Sequence, residues 1–252
     1  MKQKIAIITG ASRGLGKNTA QHLAAQGIAV IGTYHSNTVE ADALIQEIES
    51  KDGRAAMLQL DVGNSASFDA FVGKLKDVLH AKFNVEKVDY LINNAGIGIT
   101  AGVAETTEEQ FDQLVNIHLK GAFFLTQKML PLIADGGRIV NISSGLTRFS
   151  FPGYAAYAMM KGGVEVMTRY MAKELGARGI AVNTLAPGAI ETDFGGGAVR
   201  DNAQINEHIA STTALGRVGM PDDIGGAITA LLSDGSRWVN AQRIEVSGGM
   251  MI

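Results

Sequence analysis

Tyr157 and Lys161 stand four residues apart in the stretch Tyr157-Ala158-Met159-Met160-Lys161, which places a phenol and an ammonium on one face of a helix. A phenol with an ordinary pKa of about 10 is a poor base at neutral pH. A neighbouring ammonium favours the phenolate and draws that value toward the working range of a proton donor and acceptor. Such pairs are common on helices, so the spacing alone does not identify a site. Ser143 and Ser144 lie just ahead of the same helix, and either hydroxyl is suited to hold a carbonyl oxygen. Asn116 falls inside a helical stretch, Glu108–Leu130. A poor helix former is unfavourable there unless its amide or carbonyl has another use; a solvent-facing asparagine is the alternative.

A second group suits a phosphate. Thr9-Gly10-Ala11-Ser12-Arg13-Gly14-Leu15-Gly16 follows an apolar run and opens a helical pattern. Glycines let the backbone turn tightly and approach a pyrophosphate, whose charge then faces the free N–H groups of a helix N-terminus. The spacing, Gly-x3-Gly-x-Gly, departs from the commoner Gly-x-Gly-x-x-Gly fingerprint, although the strand–turn–helix context is the required one. Sites for a dinucleotide without a 2′-phosphate place an acid at the end of the second strand. Here that position reads Tyr34-His35-Ser36-Asn37, and the first acid afterwards is Glu40. With Arg13 in the turn, the pattern favours NADP(H) over NAD(H); a solvated surface arginine is the alternative for Arg13. Asp61 either accepts from an adenine amino group or caps the turn near Asn64 and Ser65. Asn93-Asn94-Ala95-Gly96 and Pro187-Gly188-Ala189-Ile190-Glu191-Thr192 each follow an apolar run.

These residues need a scaffold that brings them to one edge. Strand candidates are Ile5–Thr9, Ala29–Thr33, Ala55–Leu60, Val88–Ile92, Arg138–Ile142, Ala181–Leu185 and Arg243–Val246. Between them lie helical patterns at Gly14–Gln26, Val39–Lys51, Ser67–Lys82, Glu108–Leu130, Tyr154–Gly176 and Asp222–Ser233. The strands are apolar throughout, as strands covered on both faces must be. Their alternation with helices predicts an α/β fold: a doubly wound, Rossmann-type parallel sheet of about seven strands, helices on both faces. No linker or repeat divides the chain, so one domain over residues 1–252 is expected. Pro187–Leu215 is the longest break in pattern and reads as a lid, about residues 188–215.

The chain of 252 residues is 46% hydrophobic and 19% charged, the composition of a soluble globular protein. A net charge of -3 gives no reason to expect nucleic acid or an anionic membrane as partner. Absent cysteine excludes disulfides and thiolate catalysis. After Met1-Lys2-Gln3-Lys4, the apolar run from Ile5 stops within a few residues at Gly10, too short for a signal core or a span. A cytoplasmic location is expected. His22, His35, His80, His118 and His208 lack ligand spacing, so no metal is expected.

Taken together, Thr-Gly-x3-Gly-x-Gly, Asn-Asn-Ala-Gly, Ser, Tyr-x3-Lys and Pro-Gly, in this order along the whole chain, resemble the short-chain dehydrogenase/reductases. The likeness is to 3-oxoacyl-[acyl-carrier-protein] reductases and related carbonyl reductases. The resemblance implies that Tyr157 transfers a proton, Ser144 orients the carbonyl oxygen, Lys161 binds a ribose and acidifies the tyrosine, and Asn116 holds a relay water. Ser144 is preferred over Ser143 because the family's serine stands thirteen positions ahead of the tyrosine. The implied cofactor set is Gly10, Ser12, Arg13, Gly14, Leu15, Gly16, Tyr34, His35, Ser36, Asp61, Val62, Asn93, Ala95, Gly96, Tyr157, Lys161, Pro187, Gly188, Ile190 and Thr192. The implied activity is reversible NADP(H)-dependent reduction of a ketone or aldehyde.

Leu146, Phe149, Phe151, Tyr154 and Phe194, beside Ser144, suggest an apolar ketone-binding wall; packing of the helix against its neighbours is the alternative. A carrier-protein substrate is an alternative weakened by Leu132-Ile133-Ala134-Asp135-Gly136-Gly137, which holds an acid and no base, although Arg178 is a partial match to a basic contact. An NAD-linked alcohol or polyol dehydrogenase is a further alternative. A non-catalytic NADP-binding regulator would need no Tyr157, and a lyase or epimerase would turn over without net cofactor oxidation. Apolar residues on several faces of Glu108–Leu130 and Tyr154–Gly176 suggest a symmetric oligomer, and the resemblance implies a homotetramer.

Overall fold

A computed structural model describes residues 3–252; Met1 and Lys2 of the N-terminal reading lie outside them. The chain begins at β1 (Ile5–Ile8), which is short, apolar and wholly buried. Its side chains alternate between two cores, Ile5 and Ile7 in one, Ala6 and Ile8 in the other. The period of two thus serves both faces, which is why the strand shows no polar positions. The elements α1 (Gly14–Ala25), β2 (Ala29–Tyr34), α2 (Thr38–Glu49), β3 (Ala55–Gln59), α3 (Phe68–Val78) and β4 (Val88–Asn93) follow. Then come α4 (Glu108–Leu114), α5 (Ala122–Met129), β5 (Ile133–Ile142), α6 (Ala155–Leu175), β6 (Ala181–Pro187), α7 (Ala198–Asp201), α8 (Ala203–Ser211), α9 (Pro221–Leu232) and β7 (Arg243–Val246).

The seven strands form one sheet in the order β3-β2-β1-β4-β5-β6-β7, every pair parallel. This is the doubly wound arrangement the alternation predicts. Leu23, Leu44, Ile224 and Ile228 from α1, α2 and α9 cover one face. Phe68, Leu75, Leu125 and Met171 from α3, α5 and α6 cover the other. The chain winds outward from β1 to β3 and then returns to the far side of β1 at β4. That reversal opens a crevice beyond the carboxyl ends of β1 and β4. No helix among the described residues is long and apolar enough to cross a membrane.

Four stretches differ from the sequence expectation. β5 begins at Ile133, not Arg138, because Val88 pairs with Ile133 before the register slips and Tyr90 pairs with Arg138. Gly136, at φ 75°, takes up the slack; pairing across the sheet, not local pattern, makes this strand long. The stretch 108–130 is one rod, but its middle, Val115–Gly121, widens into a π turn. A second π turn, Leu79–Phe83, ends α3. The predicted lid holds two short helices: α7, and α8, which is capped by Asn202 accepting from the Ile205 N–H at 3.1 Å.

Candidate active site

At the head of the crevice, the turn after β1 is tied to both neighbouring strands. The Gly10 N–H donates to Thr33 Oγ1 at 3.2 Å, and Asn94 Nδ2 donates to the carbonyls of Thr9 and Gly10 at 2.9 and 3.1 Å. Gly10 and Gly14 have φ of 65° and 54°, where a side chain is strained. A Cβ on Gly10 would stand 3.0 Å from Ala95 Cα. The helix α1 that follows has an extended Arg13 at its N-cap, no side-chain cap bond and no acid in its first turn. Its leading N–H groups are therefore free for an anion.

Arg13, Tyr34, His35, Asp61 and Val62 line the same end of a crevice of about 1080 Å³. Asp61 uses Oδ1 to accept from the Gly63 N–H at 2.8 Å, so it caps its own turn, while Oδ2 stands 3.9 Å from His35 Nε2. The Arg13 guanidinium and the free N–H groups of α1 at this end suit a dinucleotide diphosphate.

Beyond the ends of β4, β5 and β6 lie Ser144, Asn116, Tyr157, Lys161, Gly188, Ile190 and Thr192, all on the crevice wall. Ser143 and Ser144 separate cleanly. Ser143 Oγ is spent on Glu165 Oε1 at 2.7 Å and on the Lys161 carbonyl at 3.3 Å. Ser144 Oγ accepts from the Leu146 N–H at 3.2 Å, and its own hydroxyl bears on the Tyr157 phenol across the crevice wall.

Tyr157, only 7% exposed, keeps its place on that wall. Burial pushes its pKa above the ordinary phenol value, the Ser144 hydroxyl works against this, and Tyr154 adds to the rise. Lys161 donates from Nζ to the Ile142 carbonyl at 2.9 Å, and burial pulls its pKa down to about 7. Its Nζ is 5.5 Å from the Tyr157 ring centre. In the protein by itself, burial thus raises the phenol and lowers the ammonium, and the expected acidification of the tyrosine by the lysine gains no support from these shifts. Both groups are buried, and loss of hydration is the largest cause of each shift.

Three residues expected at the cofactor do not line the crevice: Gly16, Ser36 and Asn93. Asn93 is buried and donates to Thr126 Oγ1 at 2.9 Å and to Asn141 Oδ1 at 2.8 Å; it joins strands, and Asn94 faces the crevice in its place. Gly16 is a packing glycine, since a Cβ there would lie 2.2 Å from the Gly10 carbonyl oxygen. Ser36 is exposed, beyond the end of β2.

Leu146, Phe149, Phe151, Tyr154 and Phe194 all line the crevice, while Leu146 and Tyr154 also pack against Leu114, Tyr157 and Met160. Phe149 and Phe151 meet edge to face at 5.7 Å. From the segment after β6, the Phe194 ring centre lies 5.8 Å from that of Tyr157, and a Cβ on Gly98 would stand 2.9 Å from the Phe194 ring. Ile205 and Ile209 of α8 add to the same wall; their spacing of four after Asn202 is the signal that would have revealed them.

His118 escaped the sequence reading. It is 2% exposed and meets Tyr157 edge to face at 5.4 Å. Its Nε2 lies 2.9 Å from the Ile97 carbonyl oxygen. Burial, with the Lys161 charge nearby, drops its pKa to about 3, so the ring is neutral. Only the π turn, invisible in the pattern, brings residue 118 there. No cluster of potential metal ligands occurs among the described residues.

Comparison with known proteins agrees with this geometry. Residues 10–251 match a family model described as enoyl-(acyl carrier protein) reductase. The chain is 35% identical to a 3-oxoacyl-[acyl-carrier-protein] reductase of Synechocystis sp. over 252 residues, covering 99% of this chain and 97% of that protein. Among solved structures it is similar to the promiscuous reductase LugOII, which catalyses keto-reduction at C1 during lugdunomycin biosynthesis. That match has 38% identity and a TM-score of 0.94, over 99% of this chain and 98% of the other. It is also similar to the angucycline C-6 ketoreductase LanV with bound NADP, at 33% identity and a TM-score of 0.93, over 98% and 95% of the two chains.

Proposed function

Because the chain belongs to the short-chain dehydrogenase/reductase family of oxidoreductases, we propose that it reduces an apolar or aromatic ketone with NADPH, reversibly. The carrying observation is that one crevice joins the free N-terminus of α1, beside Arg13, to a wall bearing Ser144, Tyr157 and Lys161.

A nicotinamide held in the crevice would supply the hydride for the carbonyl carbon. The protein does the rest. The α1 N-terminus and Gly10–Gly14 would hold its diphosphate, and Arg13, with no carboxylate in the residues that directly follow β2, would meet the extra phosphate. That LanV holds NADP supports this choice. Ser144 directs its O–H to the substrate oxygen. Tyr157 gives its proton to that oxygen as the carbon receives the hydride, and the phenolate left behind is favoured by the Ser144 hydroxyl and by the Lys161 ammonium. Asn116, on the same wall, is read as the holder of a relay water. Phe149, Phe151, Tyr154 and Phe194 exclude water and stack on the ketone.

A carrier protein is a poorer reading of the substrate. Arg178, the basic residue that such an acidic partner would use, is committed to Asp135 at 2.8 Å and to the Leu130 carbonyl at 2.9 Å.

The test is NADPH and NADH consumption against α-tetralone, acetoacetyl-CoA and polyols. The expected result is preference for NADPH and for the aryl ketone, with Tyr157→Phe slowing turnover on the order of a hundredfold or more. Full activity in Tyr157→Phe removes the mechanism; preference for polyols removes the apolar pocket.

A further inference from the structure

The loop that carries Ser144 is held from both sides by one carboxylate oxygen. Glu165 Oε1 accepts from Ser143 Oγ, from Thr147 Oγ1 and from Arg243 Nε, each at 2.7 Å. Ser144 lies between the first two of these donors, and its own carbonyl accepts from Thr147 Oγ1 at 3.0 Å and from Arg243 at 3.3 Å. Glu165 sits on α6 two turns beyond Tyr157 and one beyond Lys161, on the same face. Arg243 sits on the last strand, β7, and is held there by Glu245 at 2.9 Å.

The side chains of Arg243 and Glu165 are 25% and 14% exposed. In so sheltered a place a charged pair is retained only if its remaining bonds are satisfied, and removing one member strands the other. Nothing in proton or hydride transfer uses either residue.

We propose that Glu165 and Arg243 are a positioning pair that fixes the Ser144 hydroxyl relative to Tyr157, by clamping the Ser143–Thr147 loop to the helix bearing the tyrosine. The inference rests on the reading of Ser144 as the residue that holds the substrate oxygen. Through its hydroxyl Ser144 also opposes the rise in the Tyr157 pKa, so the clamp has a signature in pH. The other groups around that phenol are Lys161 on its own helix, Tyr154 at that helix's N-cap and His118 on the neighbouring rod; of these, Lys161 meets the clamp through its carbonyl, which accepts from Ser143 Oγ at 3.3 Å.

The experiment compares wild type, Glu165→Gln, Arg243→Gln, their double variant, Thr147→Val and Ser144→Ala. Each is assayed by NADPH oxidation with α-tetralone or acetoacetyl-CoA, whichever the wild type reduces faster, and by hydrogen exchange of the amides of residues 144–149. In Glu165→Gln, kcat falls on the order of tenfold to a hundredfold, because misplacement of about an ångström costs that much. The KM for NADPH stays within about twofold. The high-pH limb of kcat, where the phenol must keep its proton, moves upward, and exchange of the loop amides accelerates. The double variant is no slower than the worse single one, because both remove the same clamp.

Glu165→Gln at full kcat with an unmoved limb, while Ser144→Ala is slow, overturns the clamp alone. Ser144→Ala at full rate overturns the reading of that serine and the clamp with it. Should Glu165→Gln fail to fold, Thr147→Val, which removes one arm and leaves the ion pair, decides: unchanged kcat and pH limb sink the proposal.

Discussion

A methyl group has no room at Gly16, where a Cβ would lie 2.2 Å from the Gly10 carbonyl oxygen and 2.6 Å from Asn94 Nδ2. Both neighbours are fixed, one being backbone and the other bonded to Thr9 and Gly10, so neither can yield cheaply. Gly16→Ala is expected to cost about 1–3 kcal/mol in urea unfolding, the usual penalty of overpacking, and to weaken NADPH binding by moving the turn. Stability unchanged within error would contradict this account. The third glycine of the turn was legible as part of a phosphate motif, but its job is close packing of helix on strand. Likewise Asn93 and Asn94 are identical in sequence terms, and the alternation of strand side chains sends one into the core and the other to the crevice.

Among the elements, β7 and the loop after β5 are bound by charge as much as by backbone pairing. Arg148 donates to both oxygens of Glu245, at 2.7 and 2.9 Å, and also to the Met251 carbonyl at 2.9 Å. The hydrogen bond from Arg148, helped by Arg243 and Ser247 and opposed by burial, lowers the Glu245 pKa from 4.5 to about 2. The folded carboxyl thus holds its proton more weakly than the unfolded one. Its contribution is complete above pH 4.5 and is lost as pH falls from 4.5 through about 2. The stability gap between wild type and Glu245→Gln, followed by denaturant titration, should be widest near neutrality and close across that acid window. A gap constant from neutrality to pH 2 would refute it. The sequence showed each strand and long helix because their apolar periods are strong. It hid the π turn at Val115–Gly121 and the lid helices, whose bonds depend on what packs against them.

On the scale of the whole molecule, the helices that carry the site also leave apolar side chains in water. Phe123 and Phe124 on α5, and Val166 and Tyr170 on α6, are 43%, 39%, 45% and 67% exposed. The two helices bury their other faces against the sheet, so these side chains are placed to meet a second copy of the chain. A homotetramer built on these helices is the proposed assembly. Light scattering should give four chains per particle, and Phe124→Glu with Tyr170→Glu should reduce that number; a monomeric wild type would count against it.

Periodicity and composition determined that this chain would form a parallel sheet wrapped in helices, and the order of its motifs determined which family it joins. Both are local properties, written every second or every third to fourth residue and needing no distant contact. The tertiary structure decided the rest. It tied the Ser143 hydroxyl to Glu165, brought His118 against Tyr157, and set the protonation tendencies of tyrosine and lysine through burial. Each of these depends on residues far apart in the chain meeting in a medium drier than water, where hydration lost counts for more than spacing gained.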